Sequence, residues 1–487
     1  MHSDESLQKR HRRGRKPSAG SDGRLDLATE ILICIVLVIS PWLFGTTEPW
    51  AVRVVNSLNY AIGALLAWKL VLRWQTPLGA PAILPEQVER GRHAWLRYVP
   101  AVGTSLLLAY TAIAAWNARA IYISGEQRFE YLSHFTWLPH SYDRATSWER
   151  FFRLLGAACF FFGLTDLLRP RRSKESSTWL SARTKRLLWV ICINGTLLAV
   201  EGILQRLSKT DKLLWLVQPN LTVWGTVQFG PYAYRSNAAQ LFNLIWPLAL
   251  GFFLALQREL KQGFGKGPET MLVFCCGVMA VCPILTSSRL GLAVMGLLTV
   301  GCLVWVGLLN GIKRWKWTAL MAACLMVVAS SGLALNWKHL SRRFERLDLN
   351  GLGARGEIYE NARKMADDYP VFGVGPGAFG AVYQLYRETP DQFWYAYAHD
   401  DWLEARVTFG WVGTSLIMLI LVGVLLPPLF SLFSSGNGGW LGFLYLSVGG
   451  ILVTACWDLP FQVYSILLYF LTVLALISTA PLNHSRK

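Results

Sequence analysis

The chain has 487 residues, 53% of them apolar and only 16% charged, whereas a typical soluble domain carries about a quarter charged residues. The deficit is uneven: long apolar runs alternate with short basic segments, and nearly uncharged runs of about 18 residues or more predict membrane-spanning helices. The net charge of +17 sits in those short segments, which fits headgroup contact and helix orientation and argues against nucleic-acid binding.

A basic tail, 1–24, precedes the first apolar run. That run is long enough to span and has no small-residue cleavage exit, so it predicts a membrane helix and not a secretion signal. In chain order the predicted spans are 25–46, 51–72, 98–117, 150–168, 187–205, 238–257, 270–287, 290–310, 317–336, 409–429, 440–457 and 461–479. The expected fold is therefore an all-α polytopic membrane protein of about 12 helices. Its parts are membrane helices one to nine within 25–336, a large and partly helical external loop at 337–408, helices ten to twelve within 409–479, and a short tail at 480–487. With the basic N-terminus in the cytoplasm, alternation puts 73–97, 169–186, 258–269 and 311–316 inside, and each carries at least three Lys or Arg. Both termini come out cytoplasmic. All nine cysteines lie within predicted spans without metal-ligand spacing, so neither a disulfide framework nor a metal site is expected.

Within the large loop, Ile358, Ala362, Met365 and Ala366 recur at helical spacing over 353–369, and Pro370 ends the pattern. A glycine-rich turn follows, Gly373-Val-Gly375-Pro-Gly377, and a second helix is expected to start near His399 and run into span ten. Gly375, Gly377 and Gly380 match the dinucleotide fingerprint formally. No strand–helix–strand unit surrounds them and Pro376 interrupts them, so the match is accidental; the glycines suit a tight turn and close backbone approach, with a ligand one candidate neighbour.

Four residues stand out chemically. Arg289, in Thr286-Ser287-Ser288-Arg289-Leu290-Gly291, lies between two apolar runs with almost no loop. It is either an interfacial anchor or an anion ligand whose guanidinium fork matches phosphate oxygens. Arg235 poses the same choice where the external loop enters span six, next to Asn237, and Arg355 lies near the start of the loop helix, where the dipole also favours anions. His399 opens His399-Asp400-Asp401-Trp402-Leu403-Glu404; on a helix it would share a face with Leu403 and Arg406. Such a histidine is either structural or a proton acceptor for an attacking hydroxyl. Adjacent His399, Asp400 and Asp401 would point different ways on a helix, so no metal site is assigned.

Several segments together resemble the O-antigen ligase and polymerase family. They are Arg355-x-x-x-Tyr359, Tyr369-Pro370-x-Phe372-Gly373-Val374-Gly375-Pro376-Gly377-x-Phe379, Tyr383-x-x-Tyr386-Arg387, His399-Asp400-Asp401-Trp402-Leu403 and Phe409-Gly410-Trp411-Val412-Gly413. The Thr286–Gly291 hairpin, the Gly230-Pro231-Tyr232…Asn237 entry and Pro41-Trp-Leu-Phe44-Gly45 are similar to further family motifs, so the resemblance runs along nearly the whole chain. Two positions depart from the pattern: Tyr359 stands where Trp is common, and Asp400 follows the histidine in place of Asn.

The resemblance implies an inverting, metal-independent glycosyltransferase with no cofactor, using undecaprenyl-diphosphate glycans at the periplasmic face of a bacterial inner membrane. In it His399 would be the general base. Arg235, Arg289 and Arg355 would hold the diphosphate, with Arg289 also acting in catalysis as charge grows on the leaving group. Asp400, Asp401, Glu404, Asn237, Gly375 and Gly377 would support them. The acceptor would be lipid A-core for a ligase, a growing glycan for a polymerase, or a protein hydroxyl. A transporter or flippase is the reading of a different class; it would use ionisable residues deep in the spans, for which Glu201 and Asp166 are the candidates and Pro247 and Pro283 the kinks.

Overall fold

The computed structural model describes residues 19–75, 96, 98–169, 180–219, 228–260, 267–310, 353–388, 394–429, 432 and 438–480. Eleven of the predicted spans coincide with helices there, and the ninth, 317–336, together with 337–352, lies outside the described residues. The spanning helices are α1 (Ala19–Trp42), α2 (Pro49–Gln75), α3 (Val99–Trp116), α4 (Arg144–Leu168), α5 (Ala182–Leu207), α6 (Arg235–Leu260), α7 (Met271–Leu285) and α8 (Arg289–Asn310). Two short loop helices follow, α9 (Gly353–Asp368) and α10 (Phe379–Tyr383), before the last spans α11 (Asp401–Leu429), α12 (Gly438–Thr454) and α13 (Tyr464–Ser478). Eight of the eleven are long and apolar enough to cross a membrane; α7, α12 and α13 are shorter apolar helices. The protein is an all-α polytopic membrane protein, with one small hairpin, β1 (Ala120–Ile123) paired antiparallel with β2 (Arg128–Tyr131), that the sequence reading did not anticipate.

Helix α6 is the central post. Of its most apolar stretch 94% is buried, and it packs against α5, α7, α8, α12 and α13. Outer helices show the opposite pattern. On α8, Leu297, Val300, Val304 and Leu308 recur every three or four residues and are all exposed, which in a membrane is the lipid-facing stripe.

One end of the bundle is tied by charge. Lys69 Nζ is buried 3.1 Å from Asp26 Oδ1 and 3.4 Å from Asp166 Oδ2. Arg73 grips Asp166 with both guanidinium nitrogens, and Arg183 reaches Asp26 at 2.8 Å. A buried ammonium is tolerated only when paired in this way. Asp166, a candidate intramembrane acid from the sequence, is thus engaged in an ion-pair cluster joining four helices.

The other end carries a cap with its own core. Ile358, Ala362, Met365 and Ala366 of α9 pack with Ala120, Tyr142, Val374, Phe379, Val382, Tyr383 and Val407, so the face predicted for the loop helix is the face it buries. The cap is keyed into a break in α11. At Gly410 the backbone turns to φ 59°, ψ −166°, a conformation open essentially to glycine alone. Beyond the break, Trp411 N–H donates to Pro370 O (2.9 Å) and Val412 N–H to Val371 O (3.2 Å), replacing helical bonds lost at the kink. A Cβ on Gly410 would collide with Val371 O. Gly410→Ala is therefore expected to destabilise the protein by about 1–3 kcal/mol from backbone strain alone, with the collision adding to it. A thermal melt in detergent checks this, and an unchanged midpoint would contradict the keyed joint.

Candidate active site

His399 is not on a helix. It precedes α11 with φ 57°, a left-handed conformation uncommon for a residue bearing Cβ. Its neighbours hold it there: Tyr359 Oη donates to His399 O (3.1 Å), Glu404 Oε2 accepts from Ala398 N–H (2.9 Å), and Asp401 N–H donates to Ala455 O (2.8 Å). The expected face shared by His399, Leu403 and Arg406 therefore does not exist. The imidazole is half-buried, its Nδ1 has no hydrogen-bond partner, and Asp458 Oδ1 lies 3.8 Å away, within ion-pair range. The Tyr234 ring packs edge-on to it, centroids 6.5 Å apart.

The three acids after the histidine serve other atoms. Asp400 Oδ1 accepts from Leu403 N–H (2.9 Å) and caps α11. Burial pushes its carboxyl above the usual range, against the pull of the Leu403 and Trp402 backbone bonds. Asp401 is buried with Oδ2 accepting from Phe461 N–H and Oδ1 from Gln462 Nε2, which pins the start of α11 to the turn at Pro460–Gln462. Glu404 braces Ala398 as above. The carboxylate facing the imidazole is Asp458, not Asp400.

Arg355, in the first turn of α9, reaches the same place. Its Nη1 donates to Trp457 O (3.2 Å) and its Nη2 to Tyr234 Oη (3.4 Å). Burial works against its charge, but Tyr234, Asp458 and Tyr359 outweigh burial and raise its pKa from the ordinary arginine value. Arg235 and Arg289 are the first residues of α6 and α8. Those helix starts are joined by Ser236 Oγ and Ser288 Oγ at 2.9 Å and by Asn243 Nδ2 donating to Gly291 O (2.8 Å). Two positive helix ends thus lie side by side, each opening on an arginine. Asn237 is buried beside them; its N–H donates to Tyr234 O (3.0 Å) and its Oδ1 has no hydrogen-bond partner. Below, the Tyr232 ring seats against Gly45 and its hydroxyl meets Ser465 Oγ (3.1 Å), which itself donates to Gly45 O (2.7 Å). Two motifs nearly two hundred residues apart in the sequence are therefore one piece of floor.

The glycine-rich turn approaches protein. A Cβ on Gly375 (φ 108°) would strike Ser141, and one on Gly377 would press on Thr146. The turn is bound on both sides, Tyr142 N–H to Val374 O (3.0 Å) and Gly375 N–H to Thr408 O (3.1 Å). Close approach is why glycine stands there, and the neighbour is the segment leading into α4, where a ligand had been a candidate. Among the described residues no three His, Cys, Asp or Glu side chains are grouped as metal ligands.

Segments 234–236, 288–289, 355–359, 399 and 457–458 thus meet at the cap end of the bundle. Chemically they offer guanidinium and helix-end donors for an anion beside an imidazole whose Nδ1 faces a carboxylate. The O-antigen ligase family model matches residues 274–418, the stretch from α7 to the middle of α11. The chain carries an O-antigen ligase domain. No curated protein matches the chain. The O-antigen ligase match includes Arg289, Arg355, the glycine-rich turn and His399, and it stops short of Arg235, Asn237 and Asp458, which the fold brings to them. It supports an O-antigen ligase- or polymerase-like membrane glycosyltransferase.

Proposed function

We propose that the protein transfers a glycan from an undecaprenyl-diphosphate carrier to an acceptor hydroxyl at the outer face of a bacterial inner membrane, as an O-antigen ligase does. The observation that carries this reading is the meeting of Arg355 with Tyr234, beside His399 and Asp458, at the end where α6 and α8 begin with arginines. In the proposed reaction the acceptor hydroxyl attacks the anomeric carbon as the bond from that carbon to the diphosphate oxygen breaks, inverting configuration. His399 Nε2 takes the hydroxyl proton, and Asp458 at Nδ1 favours the imidazolium that forms. The diphosphate departs with added negative charge onto Arg235, Arg289 and Arg355, of which Arg355 is held beforehand by Trp457 O and Tyr234 Oη. These guanidiniums perform the charge stabilisation a divalent metal supplies elsewhere, and the carrier brings an already activated sugar, so no nucleotide is required.

Orientation is supported by charge. The ends opposite the cap hold Lys69, Arg73, Arg183, Lys185 and Arg186, the pattern expected of a cytoplasmic face, which supports a cap on the outer side. The test is purified protein in proteoliposomes with a lipid-linked glycan, a candidate acceptor and a chelator. Release of undecaprenyl diphosphate that depends on the acceptor is expected, with the product showing whether lipid, glycan or protein was modified. No release with any acceptor, or release abolished by chelator, would overturn the reading. Glu360, exposed on the cap, when changed to Cys in a background without native cysteines, should react with an impermeant thiol reagent added to intact cells; protection from it would reverse the orientation.

A further inference from the structure

A cavity of about 240 Å³, lined in part by Asp401, Trp402 and Glu404, lies between α3, α4, α11 and α13. Its walls are apolar, with Leu108, Phe161, Ile420 and Leu471 typical of them, and its cap-side end is formed by Arg150, Arg153 and Gln462. Both arginines converge on one residue: Arg150 Nη2 donates to Gln462 Oε1 (2.8 Å) and Arg153 Nη2 to Gln462 O. Arg153 also lies over the Tyr464 ring, 5.0 Å from its centre, and its Nε is buried without a hydrogen-bond partner. Neither guanidinium has a salt bridge among the described residues. Asp401 and Glu404 line the same end and act on the two arginines through space, while their hydrogen bonds go to Phe461 N–H, Gln462 and Ala398 N–H.

Depth matters here. Helix α4 begins at Arg144, so its rise places Arg150 and Arg153 about 9 and 14 Å along it from the cap end. Guanidiniums at the outer edge of the hydrocarbon attract anions, and lipid phosphate is the anion that a bilayer supplies at this level. From Arg153 the cavity continues to Phe162, roughly 14 Å further along α4, close to half of the ~30 Å hydrocarbon thickness. It therefore has the length of one leaflet, a charged head end, and an apolar remainder.

We infer that this cavity binds a bilayer phospholipid with an anionic headgroup, its phosphate on Arg150 and Arg153 and one acyl chain between α3, α4, α11 and α13. Bidentate guanidinium contacts hold the phosphate, and burial of the chain adds an apolar contribution. The site does not depend on the donor reading, since none of Arg235, Arg289, Arg355 and His399 lines it.

The test measures lipid kept by the detergent-purified full chain in native mass spectrometry, with phosphatidylglycerol, phosphatidylcholine or undecaprenyl phosphate added. One phosphatidylglycerol is expected to be retained in preference to phosphatidylcholine. Arg150→Gln should weaken it by roughly tenfold, the scale of one lost charge-assisted contact, while Arg150→Lys should recover part of that loss, keeping the charge without the fork. Ala158→Phe, which fills the cavity wall and leaves both arginines, should abolish retention. Equal retention of the two phospholipids, retention indifferent to Arg150→Gln and Ala158→Phe in folded protein, or displacement of phosphatidylglycerol by undecaprenyl phosphate would each overturn the inference; the last would assign the cavity to the carrier's tail.

Discussion

Replacing His399 with alanine is expected to lower transfer by about 10²–10⁴-fold, the usual contribution of a positioned general base, while the lipid-linked donor still binds. The separation of the two readouts follows from where the contacts are. The imidazole faces Asp458 and the Tyr234 ring, and the candidate diphosphate ligands are arginines on other elements. Asp458→Asn should reproduce part of the turnover loss, because it removes the charge that favours the imidazolium and leaves the ring in place. Near-normal turnover in His399→Ala would make the histidine structural. The next candidate base would then be Asp458, the carboxylate that faces the imidazole at 3.8 Å.

The left-handed backbone at His399 supports the same expectation. Such conformations cost about 1–3 kcal/mol and persist where surrounding bonds over-determine them. Here Tyr359, Glu404 and Asp401 do so from three directions. Tyr359, the position where the family commonly has Trp, is thus more than a packing ring: its hydroxyl bonds the carbonyl of His399 itself. Tyr359→Phe would test this brace by the same transfer assay.

What is legible in the sequence follows the range of the interaction. The helices were legible because hydropathy is summed over about 20 residues, and the buried face of α9 because its period is local. Arg235 and Arg289 were visible as lone charges at the edges of apolar runs. The same criterion marks Asp458 in Trp457-Asp458-Leu459-Pro460, a lone acid in a tight turn between two spans. Arg153 was hidden inside an apolar run, where one charge barely alters the average. His399 was assigned to a helix because Leu403 and Arg406 follow at helical spacing. The true start, one residue past Asp400, is set by Asp400 bonding Leu403 N–H and by Asp401 anchoring to a turn sixty residues on. The glycine-rich turn was correctly read as needing close approach, but its neighbours Ser141 and the break at Gly410 are tertiary and leave no mark in the local sequence.

Arg289→Ala is expected to weaken donor binding by roughly 10–100-fold, since a hydrogen bond to a charged group contributes about 1.5–3 kcal/mol and the lost partner is a phosphate oxygen. Arg289 suits this test because it is exposed at the first turn of α8, where the helix start is fixed by Ser288 and Asn243 whatever residue stands at 289. Arg289→Lys should recover only part of the loss: an ammonium keeps the charge but loses the planar fork. Arg355→Ala should behave differently. Its guanidinium also holds Trp457 O and Tyr234 Oη, so its removal loosens the turn that carries Asp458 as well as any phosphate contact. Donor affinity and turnover are therefore expected to fall together in Arg355→Ala. In Arg289→Ala, affinity should fall and turnover at saturating donor should fall further only to the extent that the contact strengthens in the transition state. Equilibrium binding and single-turnover kinetics on the two variants separate these cases. Unchanged donor affinity in Arg289→Ala, with Arg355→Ala affected only in stability, would remove both from the diphosphate site and leave Arg235 and the helix ends as its cationic features.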